Sequence, residues 1–389
     1  MKGGTLIHPF HLLVKPTGPI CNLNCEYCYY TKKESDYPSG HVFKMSDSIL
    51  ESYIQQYISS QPTGKVTFAW QGGEPTLIGL PFFERAVALQ KNYANGKKIV
   101  NTLQTNGTLL NDEWCAFLAR HQFLVGLSLD GPEHIHDQYR LDHGGQPTFR
   151  KVMNALGLLR KHGVEVNILT CVTKTSAYQA KEIYHFLQEQ DIEFVQFIPV
   201  VDRVGGESVT NWSVEPHMYG EFLINVFNEW IKHDVGKRFV MNIEWALASW
   251  MGMASPICIF SETCGNAVVM EHNGNLYSCD HFVEKEYYLG NIQHGLVEAV
   301  SSTKQQRFGE NKSALLPTAC QECEVRFACH GECPKNRFVQ TEGDEPHLNY
   351  LCPSYKAYFT YIDPYMREMR DLIKSGKPVH HINKTRTSL

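Results

Sequence analysis

Residues 21–29 read Cys-Asn-Leu-Asn-Cys-Glu-Tyr-Cys-Tyr and contain three cysteines with the spacing CxxxCxxC. They follow a short β-rich run, Phe10–Lys15, so we expect a loop at the carboxyl end of a first strand. Three thiolates bind only three irons of a cubic iron–sulfur cluster, which leaves the fourth iron able to bind a substrate or cofactor. A zinc site is the alternative, although no fourth ligand is evident nearby.

From about residue 10 to residue 235, β-rich runs alternate with amphipathic helical stretches, a pattern typical of parallel strands joined by helical crossovers. The predicted strands are Phe10–Lys15, Lys65–Trp70, Lys98–Gln104, Phe123–Leu129, Val164–Val172 and Glu193–Val200. The predicted helices are Ser46–Ser59, Leu80–Tyr93, Asn111–His121, Thr148–His162, Ala177–Gln190 and Glu215–His233. Six β/α units are too few for a closed eight-stranded barrel, so we predict an α/β fold with an open, partial (β/α)6 barrel.

Composition and charge exclude several classes of protein. The 389 residues are 43% hydrophobic and 20% charged, which is typical of a chain with buried cores. The formal net charge of −5 argues against attraction of nucleic acid or anionic lipid over the whole surface. The sequence has no run of about 18 apolar residues and no signal-peptide pattern, so we expect a soluble, cytoplasmic protein.

The thirteen cysteines are an odd number in a chain without an export signal, which argues against a disulfide framework. Eight of them lie in the last third of the chain: Cys258, Cys264, Cys279, Cys320, Cys323, Cys329, Cys333 and Cys352. They divide into two four-cysteine sites, whose closed ligation suits electron storage or structure. Two zinc ribbons are the alternative. We expect Cys115 and Cys171, which stand apart, to be small core residues.

We expect three segments along the chain. Residues 1–235 form the partial barrel. Residues 236–355 form a small cysteine-rich domain with weak helix and strand periodicity, which folds around its metals because ligand bonds replace an apolar core. Residues 356–389 form a C-terminal helix and tail.

The CxxxCxxC loop, followed one β/α unit later by Gly72-Gly73-Glu74, resembles the motifs of the radical S-adenosylmethionine (SAM) enzymes. In that family the free iron chelates SAM, and the glycine-rich segment binds the amino group of SAM. The resemblance implies that Ser128 and Asp130 bond the ribose and that Arg140 binds the SAM carboxylate. Implied SAM- or substrate-orienting residues are Tyr30, Gln71, Gly72, Gly73 and Glu74. A solvated loop cap or a surface ion pair is the alternative for Ser128, Asp130 and Arg140.

The C-terminal cysteines resemble the SPASM domain, which carries two auxiliary [4Fe–4S] clusters in radical SAM enzymes that modify peptides and proteins. The resemblance assigns Cys258, Cys264, Cys279 and Cys333 to the first auxiliary cluster. It assigns Cys320, Cys323, Cys329 and Cys352 to the second. With the cluster on Cys21, Cys25 and Cys28, the chain is expected to hold three [4Fe–4S] clusters and SAM. The crossed position of Cys333 does not follow from spacing.

A closer resemblance, to the anaerobic sulfatase-maturating enzymes, rests on Trp70–Thr76, Gln104–Gly107, Cys279–Val283 and Asn349–Cys352. In that family a Cys or Ser in a sulfatase C/S-x-P-x-R motif is oxidised to Cα-formylglycine without dioxygen. The resemblance implies an unfolded sulfatase segment as substrate, a flavodoxin- or ferredoxin-like electron donor, and no nucleic-acid or membrane partner.

The resemblance also makes Asp280 the base that takes the thiol or hydroxyl proton. We expect burial beside a cluster to raise the pKa of this carboxylate, and a turn cap is its alternative role. Trp70 and Tyr29 are expected to pack in the core, and His281 to be structural. Two alternative functions stay open, a maturase that cross-links or epimerises another ribosomal peptide, and a zinc-stabilised binding module.

Overall fold

The computed structural model describes residues 8–382, which form fourteen strands and thirteen α-helices. The strands are β1 His11–Lys15, β2 Lys65–Trp70, β3 Lys98–Thr105, β4 Leu124–Ser128, β5 Glu165–Val172, β6 Phe194–Pro199, β7 Arg203–Gly205, β8 Ser208–Val209, β9 Phe239–Val240, β10 Ala267–Glu271, β11 Asn275–Tyr277, β12 Tyr288–Asn291, β13 Arg337–Val339 and β14 Leu348–Asn349. The helices are α1 Asp47–Ser60, α2 Leu80–Tyr93, α3 Asp112–Arg120, α4 Glu133–His136, α5 Phe149–Lys161, α6 Ala180–Glu189, α7 Met218–His233, α8 Met241–Trp250, α9 Leu296–Val300, α10 Thr303–Ala314, α11 Thr318–Gln321, α12 Arg326–Cys329 and α13 Cys352–Lys374.

The chain packs as two compact units, each assembled from three stretches. The first unit comprises the chain up to Ser128, Asp137–Val166 and Gly265–Glu310. The second comprises Leu129–His136, Asn167–Cys264 and the chain from Asn311 onward. Within residues 8–382, no helix has both the length and the apolar character needed to span a membrane.

The first unit is built on a mainly parallel sheet. Its strand order is β12-β11-β10-β1-β2-β3-β4, with β10 through β4 parallel and β11 and β12 antiparallel. Leu12 and Val14 of β1 are fully buried, as are Phe68 of β2 and Leu103 of β3. Because β1 to β4 are parallel, their carboxyl ends lie at one edge of the sheet, and the loops that follow them meet there.

The helices of this unit begin at residues that suit helix starts. Ser46 precedes α1 and accepts a hydrogen bond from the Ile49 N–H at 3.3 Å. Asn111 precedes α3 and accepts from the Trp114 N–H at 2.9 Å. Such caps satisfy backbone donors that a helix leaves unpaired in its first turn. They explain why the helices begin near the positions predicted from the sequence.

The second unit contains β5 from Asn167 onward, the strands β6 and β9 that are parallel to it, and the helices α6, α7, α8 and α13. Helix α13 packs closely on α7 at Gly220, where an added Cβ would lie 2.5 Å from the Ser354 carbonyl oxygen. The Gly220 N–H also donates to the Ser354 hydroxyl at 2.8 Å. Glycine therefore sets how closely these two helices approach.

The six predicted β/α units are confirmed, and the bounds of β2 and α2 are those predicted. The expectation of weak regular structure after residue 235 is partly wrong, since α8, β10 and α10 lie there. Strand β10 pairs in parallel with β1 and carries the apolar run Val268–Met270, which is buried on both faces. Cys115 is buried as expected, whereas Cys171 is only partly buried. The domain boundaries at 235 and 355 stay a prediction, and residues 383–389 of the tail lie outside the described residues.

Candidate active site and cysteine clusters

The three cysteines of the CxxxCxxC motif lie in the loop that follows β1 in the first unit. The Cys28 N–H donates to the Cys25 carbonyl oxygen at 2.9 Å, and the Leu23 N–H points to the Cys21 Sγ at 3.4 Å. All three cysteine side chains are partly exposed. The loop is therefore held by its own backbone while its thiols stay accessible to a ligand.

Polar groups surround the sulfur of Cys21. The Asn106 Nδ2 donates to this sulfur at 3.7 Å and to the Asn22 Oδ1 at 2.9 Å. Burial, together with the nearby Glu74 and Cys28, raises the pKa of the Cys21 thiol to about 11. Its thiolate form therefore needs a cationic partner, and hydrogen-bond donors to sulfur are typical of iron–sulfur sites. Both observations fit iron bound at this loop.

The Gly72-Gly73-Glu74 segment follows β2 and bonds to the residues that precede Cys21. The Gly73 N–H donates to the Gly18 carbonyl oxygen, and the Glu74 N–H to the Ile20 carbonyl oxygen, each at 2.8 Å. A Cβ on Gly73 would lie 2.1 Å from the Ile20 carbonyl oxygen. Only glycine permits this approach, which fixes the end of β2 against the cysteine loop.

The carboxylate of Glu74 is buried and satisfied within the protein. It accepts from the Thr76 N–H at 3.0 Å and the Thr76 hydroxyl at 2.6 Å. The Thr105 hydroxyl and the Asn106 N–H each donate to it at 2.8 Å. Burial raises the pKa of Glu74, although these hydrogen bonds oppose the rise. Glu74 thus holds Asn106 in place beside Cys21, and direct contact between Glu74 and SAM stays a prediction.

Asp280 lies in the turn after Cys279 and contacts two residues of the β1 end and the cysteine loop. The buried Lys15 ammonium forms an ion pair with its Oδ1, and the Tyr29 hydroxyl donates to its Oδ2 at 2.7 Å. Burial would raise the pKa of Asp280, but Lys15 and then His281 outweigh it and lower the pKa to about 2. The expectation of a raised pKa is therefore wrong, because it overlooked a buried cation at the end of β1.

Tyr30 lies between the Asp280 ion pair and a second carboxylate. The Lys15 Nζ lies 3.1 Å from the centroid of its ring. Its hydroxyl donates to both carboxylate oxygens of Glu271, at 2.6 and 2.8 Å, and Glu271 is only 1% exposed. Tyr30 thus connects two buried charged groups, while its contact with SAM or substrate stays a prediction.

A cavity of about 520 Å³ in the first unit is lined in part by Tyr30 and Glu271. Its walls also include Tyr37, Tyr277 and Tyr288. The cavity therefore combines an aromatic wall with a buried carboxylate.

Gln71 lies at the carboxyl end of β2. Its N–H donates to the Val14 carbonyl oxygen at 2.8 Å, which aligns it with the end of β1. Its side-chain amide makes no hydrogen bond to another of the described residues, 8–382. The amide is therefore available to a ligand at the edge of the sheet where the cysteine loop begins.

The remaining predicted SAM contacts are divided between the two units. In the first unit, Ser128 ends β4, and the buried Arg140 guanidinium lies 5.5 Å from the Tyr27 ring centroid. In the second unit, the buried Asp130 carboxylate accepts from the Cys171 N–H at 2.9 Å. That bond agrees with a loop-cap role for Asp130. The SAM-binding roles of Ser128, Asp130 and Arg140 stay predictions.

Cys279 lies in the first unit, and the other seven C-terminal cysteines lie in the second. Within the second unit, Cys352 neighbours Cys320 and Cys323, and burial followed by these two thiols raises its pKa to about 11. Cys329 in turn interacts electrostatically with Cys352 and Cys320. These four thiols are therefore electrostatic neighbours, and their assignment to the second auxiliary cluster stays a prediction.

A second group surrounds Lys312, whose charge interacts with Cys258, Cys264 and Cys333. Cys333 thus associates with Cys258 and Cys264, in agreement with the crossed assignment implied by the resemblance, which stays a prediction. Among residues 8–382, no three His, Cys, Asp or Glu side chains converge at the spacing suited to a single metal ion.

Sequence reasoning missed Lys15 and Tyr29 as members of this site. Lys15 follows the apolar run Leu12–Val14 of β1 and is only 1% exposed, and such burial is unfavourable for a lysine without a charge partner. Tyr29 directly follows the last cysteine of the loop, and its ring lies 5.3 Å from the His281 ring. Trp70 packs in the core as expected, with its indole N–H donating to the Asn101 Oδ1 at 2.9 Å.

Two protein families match successive parts of the chain. The radical SAM superfamily matches residues 16–187, and the iron–sulfur cluster-binding SPASM domain matches residues 258–324. These matches confirm the predicted fold class, a radical SAM partial barrel followed by a SPASM domain. They also support the predicted cofactors, SAM and [4Fe–4S] clusters.

Relatives match the chain over nearly its whole length. A serine-type anaerobic sulfatase-maturating enzyme of Bacteroides thetaiotaomicron is 46% identical and aligns over 96% of this chain and 94% of that protein. A cysteine-type enzyme of Clostridium perfringens is 37% identical over 94% of this chain and 100% of that protein.

Solved structures agree with these relatives. Native anSMEcpe with bound AdoMet and Cp18Cys peptide superposes with a TM-score of 0.86 at 36% identity, over 94% of this chain and 100% of that one. Streptococcus suis SuiB bound to S-adenosylmethionine has a TM-score of 0.64 at 15% identity, covers 89% of this chain and 77% of its own, and shares the fold alone.

Proposed function

Since this chain belongs to the anaerobic sulfatase-maturating enzymes, we propose how its residues divide the reaction of that family. The enzyme oxidises the Cys or Ser of a C/S-x-P-x-R segment to Cα-formylglycine without dioxygen. When bound, the clusters and SAM supply a 5′-deoxyadenosyl radical, which takes a hydrogen atom from the target Cβ, and an acceptor for the electron that the substrate then loses.

One observation carries the assignment of the base. The Tyr29 hydroxyl bonds the Asp280 carboxylate at 2.7 Å, and Tyr29 is the residue next to Cys28. A carboxylate is thereby tied to the loop whose thiols fit iron. A general base must lie within hydrogen-bond reach of the proton it takes, so its position beside the radical-forming loop is the first requirement.

We assign Asp280 the removal of the substrate thiol or hydroxyl proton. Lys15 and Tyr29 hold its two carboxylate oxygens, so the group is oriented before substrate arrives. A carboxylate with a pKa of about 2 is ionised and able to accept a proton, but it is a weak base. Loss of the Cβ hydrogen atom makes the substrate proton more acidic, so proton transfer to Asp280 costs less free energy after that step than before it.

The atoms and electrons of the reaction balance in this scheme. A Ser side chain becomes the aldehyde by losing one hydrogen atom from Cβ, one proton to Asp280 and one electron, which an auxiliary cluster would accept when bound. A Cys side chain loses the same three and becomes a thioaldehyde, which water converts to the aldehyde with release of hydrogen sulfide. One electron enters for SAM cleavage and one leaves the substrate, so no dioxygen is consumed.

The substrate is a peptide segment, and we infer that it enters unfolded, because a site formed by strand-end loops admits an extended chain more readily than a folded surface. We assign the supply of the first electron to a flavodoxin- or ferredoxin-like donor. The expected cytoplasmic location, where thiols stay reduced, belongs to the same proposal.

Mass spectrometry tests the proposal. The reconstituted protein is incubated without oxygen with SAM, a reductant, and a peptide containing either C-x-P-x-R or S-x-P-x-R. We expect formylglycine from at least one peptide and none when SAM is omitted. SAM cleavage with both peptides unchanged would contradict this substrate assignment and favour another peptide maturase. The Cys21→Ala, Cys25→Ala and Cys28→Ala variants should cleave no SAM.

A further inference from the structure

Lys312 is a fully buried lysine at the end of α10 in the second unit, with 0% of its surface exposed. Its Nζ donates to the Cys258 carbonyl oxygen at 2.6 Å and to the Ile259 carbonyl oxygen at 2.9 Å. Carbonyl dipoles satisfy the hydrogens of an ammonium group but do not neutralise its charge. A buried lysine of this kind needs a nearby anion.

No carboxylate within residues 8–382 forms an ion pair with Lys312. The groups that its charge interacts with are Glu332 and the sulfurs of Cys258, Cys264 and Cys333, which become anionic when they bind a metal as thiolates. Glu332 is itself held by the Asn349 and Asn336 amides, at 2.6 and 3.3 Å. The charge of Lys312 therefore faces a group of sulfur ligands.

Arg337 adds a second cation to the same region. Its Nη1 donates to the Lys312 carbonyl oxygen at 2.6 Å and its Nε to the Gly331 carbonyl oxygen at 3.0 Å. Its charge interacts with Cys264 and Cys333 of one cysteine group and with Cys320 of the other. In the described part of the chain it likewise forms no ion pair with a carboxylate.

We propose that Lys312 and Arg337 form a buried cationic pair that raises the reduction potential of the auxiliary cluster held by Cys258, Cys264 and Cys333. The proposal rests on the proposed function, in which an auxiliary cluster accepts one electron from the substrate. Lys312 and Arg337 are positioning residues here, since they act through the cluster and do not touch substrate.

The physical reason is the change of charge on reduction. A [4Fe–4S] cluster that accepts one electron becomes more negative by one charge, and a nearby buried cation stabilises the reduced state more than the oxidised one. Two cations without carboxylate partners outweigh the single buried Glu332 in this region. An electron leaving the substrate therefore meets an acceptor that is easier to reduce.

A redox titration tests the pair directly. The full chain with Cys21, Cys25 and Cys28 changed to Ala removes the ligands of the SAM-cleaving cluster, so the remaining signal comes from the auxiliary clusters. Electron paramagnetic resonance measures the midpoint potential of the auxiliary clusters in this background protein. The same measurement is made after Lys312→Gln, Arg337→Gln or Lys312→Arg is added to it. Lys304→Met, an exposed lysine on the same helix, is the matched control. Iron and sulfide per chain are measured for each variant.

We expect Lys312→Gln and Arg337→Gln to shift the midpoint of one auxiliary cluster to a more negative potential, because glutamine keeps hydrogen-bond donors but removes the charge. Lys312→Arg and Lys304→Met should leave the midpoint potentials of the background protein unchanged. Gln variants with unchanged iron content and an unchanged midpoint would overturn the proposal. If the Lys312→Gln protein binds no iron, the midpoint potential of the Arg337→Gln protein tests the proposal.

Separate measurements distinguish a failure of the proposed function from a failure of this inference. A parent protein that makes no formylglycine from either peptide contradicts that function, whereas the midpoint shift is measured without peptide or SAM. A background protein without any auxiliary-cluster signal would contradict the inference itself.

Discussion

The Tyr29 hydroxyl donates a 2.7 Å hydrogen bond to the Asp280 carboxylate, across a sequence separation of 251 residues. Tyr29 directly follows Cys28, and Asp280 directly follows Cys279. These two cysteines are the predicted ligands of different clusters. The bond therefore links the loop proposed to hold the SAM-cleaving cluster to the loop proposed to carry the base, within one compact unit.

Lys15→Met should lower formylglycine formation at least tenfold while SAM cleavage continues. The substitution removes the cation that pairs with Asp280, and a partly buried carboxylate without its partner loses its fixed orientation. Lys15→Arg should retain part of the activity. Formylglycine and 5′-deoxyadenosine are quantified in the same reaction. Lys65→Met, an exposed lysine at the start of β2, is the control and should match the parent. A folded Lys15→Met enzyme with the parental product rate would refute this role.

Gly73→Ala should weaken SAM binding at least tenfold. Its Cβ would meet the Ile20 carbonyl oxygen at 2.1 Å, so the hydrogen bonds that hold β2 against the cysteine loop must break or shift. Equilibrium dialysis with labelled SAM measures the loss. Gly157→Ala has open space around its Cβ on α5 and should leave binding unchanged. Equal affinity of the two variants for SAM would show that this close approach does not shape the site.

Asp234→Asn should destabilise the protein by about 1–3 kcal/mol at neutral pH. Asp234 accepts from the Tyr184 hydroxyl at 2.5 Å and from the Gln188 amide at 2.8 Å, and Arg238 lies 3.3 Å away. Burial would raise the pKa of Asp234, but these three partners outweigh it and lower the pKa.

The sign of the pH dependence follows from that lowered pKa. A depressed pKa in the folded protein means that the stabilisation is complete above the ordinary value of about 4 and is lost as the pH falls through the depressed pKa. The difference in melting temperature between parent and Asp234→Asn should therefore shrink below about pH 4. The exposed Asp344→Asn is the control and should melt as the parent does at each pH. A difference that grows with acidity would contradict the assignment.

The β/α units were predictable because each leaves a local pattern. Alternating apolar residues indicate β2, and an apolar stripe with Gly79 and Pro81 at its start indicates α2. Strand β10 has a local signal too, the run Val268–Met270 between glycines at 265 and 274. The pairing of β10 with β1, however, joins distant parts of the chain, and no local pattern in the sequence indicates it.

The candidate site likewise has residues that a local pattern indicates and residues whose roles depend on contacts between distant parts of the chain. Cys21, Cys25 and Cys28 could be proposed as ligands from their spacing, because a ligand motif is a local feature of sequence. Lys15 and Tyr29 were not, since their roles depend on which side chain meets Asp280 after folding. The pKa of Asp280 was predicted in the wrong direction for the same reason. Burial was anticipated from the sequence, whereas the buried cation beside it was not.

The Asp280→Asn variant is the decisive test of whether Asp280 is the base. The parent and the variant are incubated without oxygen with SAM, a reductant and the peptide that the parent converts, and formylglycine and 5′-deoxyadenosine are measured together. We expect the variant still to release 5′-deoxyadenosine while formylglycine falls at least about 100-fold, because an amide cannot take the substrate proton. Formylglycine at the parental rate would show that Asp280 is not the base.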